Sequence, residues 1–252
     1  MAHQEPSRKV AMALLAHPDD AEFLCGGTLI RLVDTGWEVH IVTLTAGDCG
    51  SATLPAEEIS GIRRREGRSA AESIGGSYHC LEELDLNVIY NQATIAKATD
   101  IMRRIAPSLV FAHARHDYMM DHEHAHQLAR SATFNFSIPN ASKLPLVENS
   151  TVPWLYYCDP VEALDPYTGE HVTPTTYVDI SDQLPRKVDM LACHVSQREW
   201  LRSHHGMDEY IDSMKRFGEL RGKEIGTSCA EAFLLHRGHA YPHSDLLGEL
   251  FS

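Results

Sequence analysis

VAMALLAHPDDAEFLCGGTLIRL, residues 10–32, decides the fold of this chain. A short apolar run, Val10–Ala16, leads straight into His17-Pro18-Asp19-Asp20. Phe23, Leu24, Ile30 and Val33 then recur at helical spacing until Gly36. The apolar run reads as a buried strand, the 3.6-residue recurrence as a helix and Gly36 as its C-terminal stop. The polar turn between them falls beyond the carboxyl end of the strand, where open α/β sheets bind their ligands.

The alternation continues downstream. Val39–Thr45 (VHIVTLT) reads as a second strand, Pro55–Ile74 as a charged helix closed by Gly75-Gly76, and Tyr78–Leu81 as a third strand. Thr94–Ile105 predicts a helix stopped by Pro107, Leu109–Ala112 a fourth strand and Glu123–Phe134 another helix. Such alternation implies crossover units, hence a Rossmann-like α/β fold: a mainly parallel sheet with helices on both faces. His17, the Ala46-Gly47-Asp48 turn and the His113–His122 segment all fall at its ligand-binding edge. Residues 137–176 carry Pro139, Pro145, Pro153, Pro160, Pro166 and Pro174, which favours long loops around short strands at Trp154–Cys158 and Tyr177–Ile180. Ser181 and Asp182 would cap a helix running to about Ser203, and Asp208–Leu220 predicts another. Ala230–Leu235 fits a strand or a helix equally. No linker divides the chain, so a single domain over 1–252 is expected, with a core at 8–135 and a loop-rich substrate region and C-terminal helices at 136–252.

At 252 residues the chain can bury one large core, and 43% hydrophobic with 23% charged residues is ordinary for a globular protein. A net charge of −13 argues against a nucleic-acid partner, which needs a basic surface. No apolar run reaches the length of a membrane span, and MAHQEPSRK is too polar for a signal peptide. The 6 cysteines are scattered without a CxxC, as expected of a reduced compartment and a cytoplasmic location. Trp154, Tyr156 and Tyr157 read as core aromatics rather than a sugar platform.

The chemistry lies in the two histidine-bearing turns. Proline holds the preceding residue extended, so His17 points off the strand end, and Asp20 can share its side of the turn while Asp19 projects elsewhere. Imidazole and carboxylate both ligate zinc, and a catalytic site wants three protein ligands plus an open position. Asp20 as a plain helix cap is the competing reading. A third ligand is offered by Asp117-Tyr118-Met119-Met120-Asp121-His122. His122 opens a helix; His126, one turn on, makes a rival His122/His126 pair, while His124 faces elsewhere, toward solvent. Asp121 could orient a ligand imidazole or cap its helix. A serine hydrolase lacks its GxSxG elbow, a nucleotide-binding protein lacks a phosphate loop, and Cys25 falls within a helical core pattern.

Four stretches together, AHPDDAEFLCGGTLIRL, VHIVTLTAGDCG, IRRREGRSAAESIG and DYMMDHEHA, resemble the LmbE-like (PIG-L) N-acetylglucosaminyl de-N-acetylase family, and AEAF at 230–233 resembles its closing segment. The resemblance implies a Rossmann-like fold and Zn²⁺-dependent removal of an acyl group from an amine of a small, sugar-like N-acyl substrate. It implies that His17, Asp20 and His122 bind the metal, that Asp19 is the general base and that Arg63 lies near the substrate. One departure stands out. The family segment usually has a histidine three residues before the third ligand, and here that position is Met119, which can neither donate a proton nor carry charge. His236, just after AEAF, is the first candidate to replace it, with Asp117 and His116 behind. The departure keeps two alternatives open: an amidase acting on a thiol conjugate or an antibiotic amide, and a metal-binding protein without turnover. A homo-oligomer in which a neighbouring subunit completes the site is also compatible with the sequence.

Overall fold

The computed structural model describes residues 8–148, 150–198, 201 and 210–251. Its centre is a seven-stranded sheet of order β3-β2-β1-β4-β5-β7-β6. The strands are β1 (Val10–Leu15), β2 (Glu38–Thr45), β3 (Ser77–Glu83), β4 (Leu109–Ala112), β5 (Trp154–Cys158), β6 (Thr176–Asp179) and β7 (Ala230–Leu235). Strands β1 to β5 pair in parallel, and β7 runs antiparallel to both β5 and β6. The fold is thus the expected mixed α/β architecture. It also decides the ambiguous AEAFLL stretch, which is a strand.

Full burial on both faces explains why β1 reads as an unbroken apolar run. Side chains alternate along it: Ala11, Ala13 and Leu15 enter one core, Val10, Met12 and Leu14 the other. The first core lies under α1 (Asp20–Asp34), α2 (Ala56–Ser73) and α5 (Leu184–Ala192), the second under α3 (Gln92–Ile105) and α4 (Met120–Asn135). Two further helices, α6 (Tyr210–Ile225) and α7 (Leu246–Phe251), complete the C-terminal part. Trp154, Tyr156 and Tyr157 are buried, as a core strand requires. No helix among the described residues is long and apolar enough to cross a membrane.

Two elements differ from the sequence reading. The helix expected from Ser181 to Ser203 is interrupted: a 3-10 turn at Ser181–Gln183 leads into α5, which ends at Ala192, and helical geometry resumes at residue 195. The break lets the imidazole of His194 turn inward, 1% exposed, to within 3.1 Å of the equally buried Glu22. Asp208, the expected start of the next helix, lies outside the described residues, and the described part runs to Ile225 rather than Leu220.

Candidate metal centre

The turn after β1 is set by its backbone. Asp19 adopts φ 109°, ψ −24°, a left-handed conformation that is costly for a residue with a side chain. This twist sends Asp19 and Asp20 to different sides, and Asp20 Oδ2 accepts the His17 backbone N–H at 2.7 Å. Asp19, not Asp20, occupies the N-cap position of α1, and it makes no side-chain cap. Asp20 is therefore free of the capping role and faces the two imidazoles.

His17 Nδ1 lies 3.4 Å from Asp20 Oδ2, and His122 Nε2 lies 3.4 Å from Asp20 Oδ1. A tetrahedral centre with ligand bonds of about 2.0–2.2 Å has ligand-to-ligand edges of roughly 3.3–3.6 Å, so these spacings suit one zinc-sized ion. Ligand atoms of all three residues fall within 4.8 Å of one another. Nε2 of the buried His122, the nitrogen that faces Asp20, makes no hydrogen bond among the described residues. A buried imidazole left this way is costly unless something else meets it, and a cation would.

The far nitrogen of each imidazole faces a carboxylate. His17 Nε2 lies 3.1 Å from Asp85 Oδ1 and 3.3 Å from Asp121 Oδ2; His122 Nδ1 lies 3.1 Å from Asp117 Oδ2. Such partners fix the tautomer and strengthen the ligand. Asp121 is pinned by the Leu86 and Val88 backbone N–H groups and does not cap α4, whose N-cap position is Met119. His113, fully buried, stacks on His122 at 3.9 Å between centroids; its Nε2 accepts the Ala16 N–H and lies 3.0 Å from Asp20 Oδ2.

This crowd of carboxylates governs the protons. Burial alone would lower His17, but hydrogen bonds with Asp121, Asp20 and Asp85 carry it well above the usual histidine range. Against the same burial, Asp20 and Asp117 raise His122 to about 9. Asp20, despite burial, is held well below the carboxylate range by His122 and His113. The cluster thus draws positive charge, which protons supply in the metal-free protein and for which a divalent cation would compete.

Asp19 borders the cluster on its open side. Tyr210 at the start of α6 donates its hydroxyl to Asp19 Oδ2 at 2.6 Å, and Arg63 Nη2 lies 3.6 Å from the same oxygen. Burial raises Asp19 above the usual carboxylate range, and nearby Asp20 adds to this, while Arg63, His194 and the Tyr210 hydrogen bond pull it down. Arg63 itself is 2% exposed and donates to the carbonyls of Pro18 (2.8 Å) and Gly47 (3.4 Å). It fits only because residue 47 is glycine: a Cβ there would stand 2.1 Å from Nη1.

A cavity of about 520 Å³ opens over these groups, lined by His17, Asp19, Asp20, Arg63, Asp85 and His122 at its floor. Phe23, Leu24, Leu201, Tyr210 and Phe217 give it an apolar wall, and Tyr118, Met119, Glu162 and Arg216 complete the rim. Met119 therefore borders the cavity without offering a proton.

The structure brings His17, Asp19, Asp20, Arg63, Asp121 and His122 together. It does not bring His236 there: that ring bonds the Tyr157 hydroxyl at 2.9 Å and packs on Tyr241 at 4.1 Å, away from the cavity lining. His126 turns from its supposed partner and donates Nδ1–H to the His113 carbonyl at 3.0 Å. His124 is half-buried rather than solvent-facing, because it donates to the Val88 carbonyl. His116 pairs with Asp165, and Cys25 is a buried core thiol. Asp85, His194 and Tyr210 carried no sequence signal of their own; each acquires its place through contacts between distant segments, whereas His113 was marked only by its position just after the fourth strand.

Comparison with known proteins fits this geometry. A sequence model of the PIG-L family, GlcNAc-PI de-N-acetylase, matches residues 12–133. The 4-oxalmesaconate hydratase of Pseudomonas putida is 26% identical over 241 residues, 92% of this chain and 88% of the relative. The diacetylchitobiose deacetylase of Thermococcus kodakarensis is 26% identical over 201 residues, 75% of this chain and 70% of the relative. Among solved structures, an inhibitor complex of the N,N'-diacetylchitobiose deacetylase from Pyrococcus horikoshii superimposes with a TM-score of 0.76 at 25% identity, covering 96% of this chain and 91% of that one.

Proposed function

We propose, from the premise that residues 12–133 form a PIG-L domain, that this chain is a metal-dependent hydrolase that removes an acetyl group from the amine of a sugar-like substrate, with zinc as its metal. Deacetylases among its relatives support the hydrolase class. The observation that carries the reading is the convergence of His17, Asp20 and His122 beneath an open cavity, with Asp19 beside them. A divalent cation held by those three would acidify a water and offset negative charge on the acyl oxygen. Asp19, its basicity raised by burial, takes the proton of the attacking water as that water adds to the acyl carbon. The C–N bond then breaks and Asp19 passes its proton to the departing amine. Met119 leaves this second transfer to Asp19, whose carboxylate the Tyr210 hydroxyl holds in place.

The test is elemental analysis of purified protein followed by acetate release from N-acetylglucosamine-type substrates with and without chelator. Stoichiometric zinc and chelator-sensitive acetate support the reading; zinc-free protein of full activity overturns it. A second reading, addition of water without cleavage, is favoured by the hydratase relative, whose match covers 92% of this chain. It predicts a product heavier by one water and no released acid, which mass spectrometry separates directly.

A further inference from the structure

We propose that Glu162 selects the charge of the substrate: it favours neutral, hydroxylated N-acyl amines and rejects those bearing phosphate or carboxylate near the acyl group. The proposal rests on the hydrolase reading above and deepens it. Glu162 lies on a 3-10 turn after β5, outside the 12–133 family domain, in the proline-rich region. Its backbone is left-handed at φ 63°, ψ 10°, and that of Ala163 follows at φ 56°. Two successive non-glycine residues in this region cost free energy, and such strain concentrates at ligand clamps. Here the surroundings hold it. Ala163 N–H bonds the Pro160 carbonyl and Val172 N–H the Ala163 carbonyl, each at 2.9 Å. The loop beyond is fastened to the segment leading into α4 and to α4 itself: His116 Nδ1 lies 2.8 Å from Asp165 Oδ2, and the Tyr167 hydroxyl donates to Glu123 Oε1 at 3.1 Å. The turn is thereby fixed to the helix that carries His122.

Glu162 lines the cavity, its side chain is exposed, and its carboxylate has no hydrogen-bond or ion-pair partner among the described residues. Its effect on charge is decisive. Among the described residues the cavity lining holds four carboxylates, Asp19, Asp20, Asp85 and Glu162, against two guanidinium groups, Arg63 and Arg216. Arg63 is engaged by the Pro18 and Gly47 carbonyls, and Arg216 donates to Ser213 Oγ. A divalent cation would bring these described groups only to neutrality, leaving no surplus among them to hold a phosphate or carboxylate. A carboxylate that only accepts hydrogen bonds suits hydroxyl groups instead.

The experiment compares kcat/KM for N-acetylglucosamine and N-acetylglucosamine 6-phosphate in the zinc-loaded wild type, Glu162→Gln and Glu162→Gly. The glycine variant relieves the left-handed backbone, so agreement between the two variants isolates charge from loop distortion. The wild type should favour the neutral sugar, and both variants should shift the ratio about tenfold toward the phosphate, mainly through KM. Calorimetric binding of glucosamine and glucosamine 6-phosphate to the same proteins gives a second ratio that needs no turnover. If that ratio shifts while neither sugar is cleaved, charge selection stands and the hydrolase reading falls. An unchanged ratio in both measurements, or a wild type that prefers the phosphate, overturns the proposal.

Discussion

At the scale of single residues, Asp19 and His126 show how burial tunes chemistry in opposite ways. Asp19 sits on the strained turn with one oxygen held by Tyr210, which leaves the other for a water. Asp19→Asn keeps the shape and the proposed ligands beside it but removes the proposed base. Zinc content should stay stoichiometric while kcat falls by ~10²–10⁴, as read by metal analysis and acetate release from one preparation. A variant of full activity would dismiss the assigned role. His126 contributes stability instead. Burial, with Arg130, His113 and Arg115 nearby, lowers its pKa to about 4, the hydrogen bond to the His113 carbonyl opposing. The unfolded chain therefore binds more protons than the native one between the ordinary histidine value and about 4. The contribution is complete above pH ~6.5 and fades as pH falls through that window, by about 3 kcal/mol in all. Urea midpoints of wild type and His126→Gln at pH 7 and pH 5 should converge on acidification; a constant gap would refute the attribution.

At the scale of elements, Gly27 of α1 has a reason that reaches across the molecule. Glu231 of β7 accepts the backbone N–H groups of Gly27 (2.8 Å) and Thr28 (2.7 Å), and Lys187 of α5 lies 2.7 Å from the same carboxylate. All of this is buried, and a Cβ on Gly27 would stand 2.7 Å from Ile180. The network ties α1, which begins at the turn carrying His17 and Asp20, to the late strand β7. Glu231→Gln would strand the Lys187 ammonium among apolar neighbours at a cost of about 3–5 kcal/mol. A chemical-denaturation midpoint close to wild type would show that the network is dispensable. The interruption after α5 follows the same logic, since local helix propensity yields to the burial of His194 against Glu22.

At the scale of the whole molecule, the proposed ligands come from the tips of β1 and β4, adjacent strands in the sheet but about a hundred residues apart in the chain. A cation bound there joins segments that separate on unfolding, so it should stabilise the native state by RT ln(1 + [metal]/Kd), about 4 kcal/mol at a thousandfold excess over Kd. Chelation should lower Tm by several degrees, zinc should restore it, and His122→Ala should abolish the difference. Insensitivity of the wild type to both treatments would argue that the cluster holds no ion. The early crossover units, and the turns that carry His17, Asp20 and His122, were legible because periodicity and the residues next to a strand end are local properties. Asp85 and Tyr210 were not. Asp85 looks like one more surface acid in LEELDLNV, and Tyr210 meets Asp19 only after 190 intervening residues have folded. His236 misled because proximity to a family-like segment says nothing about which edge of the sheet a side chain reaches.

The position of β7 has a consequence for biosynthesis. The strand is made after the other six strands of the sheet, yet it inserts between β5 and β6. Until it emerges from the ribosome, β5 presents one bare margin of amides and carbonyls bearing the aromatic sequence WLYYC. Such a margin recruits stray strands from other nascent chains. A messenger truncated ahead of codon 230 should therefore yield inclusion bodies or chaperone-bound product rather than a smaller working protein.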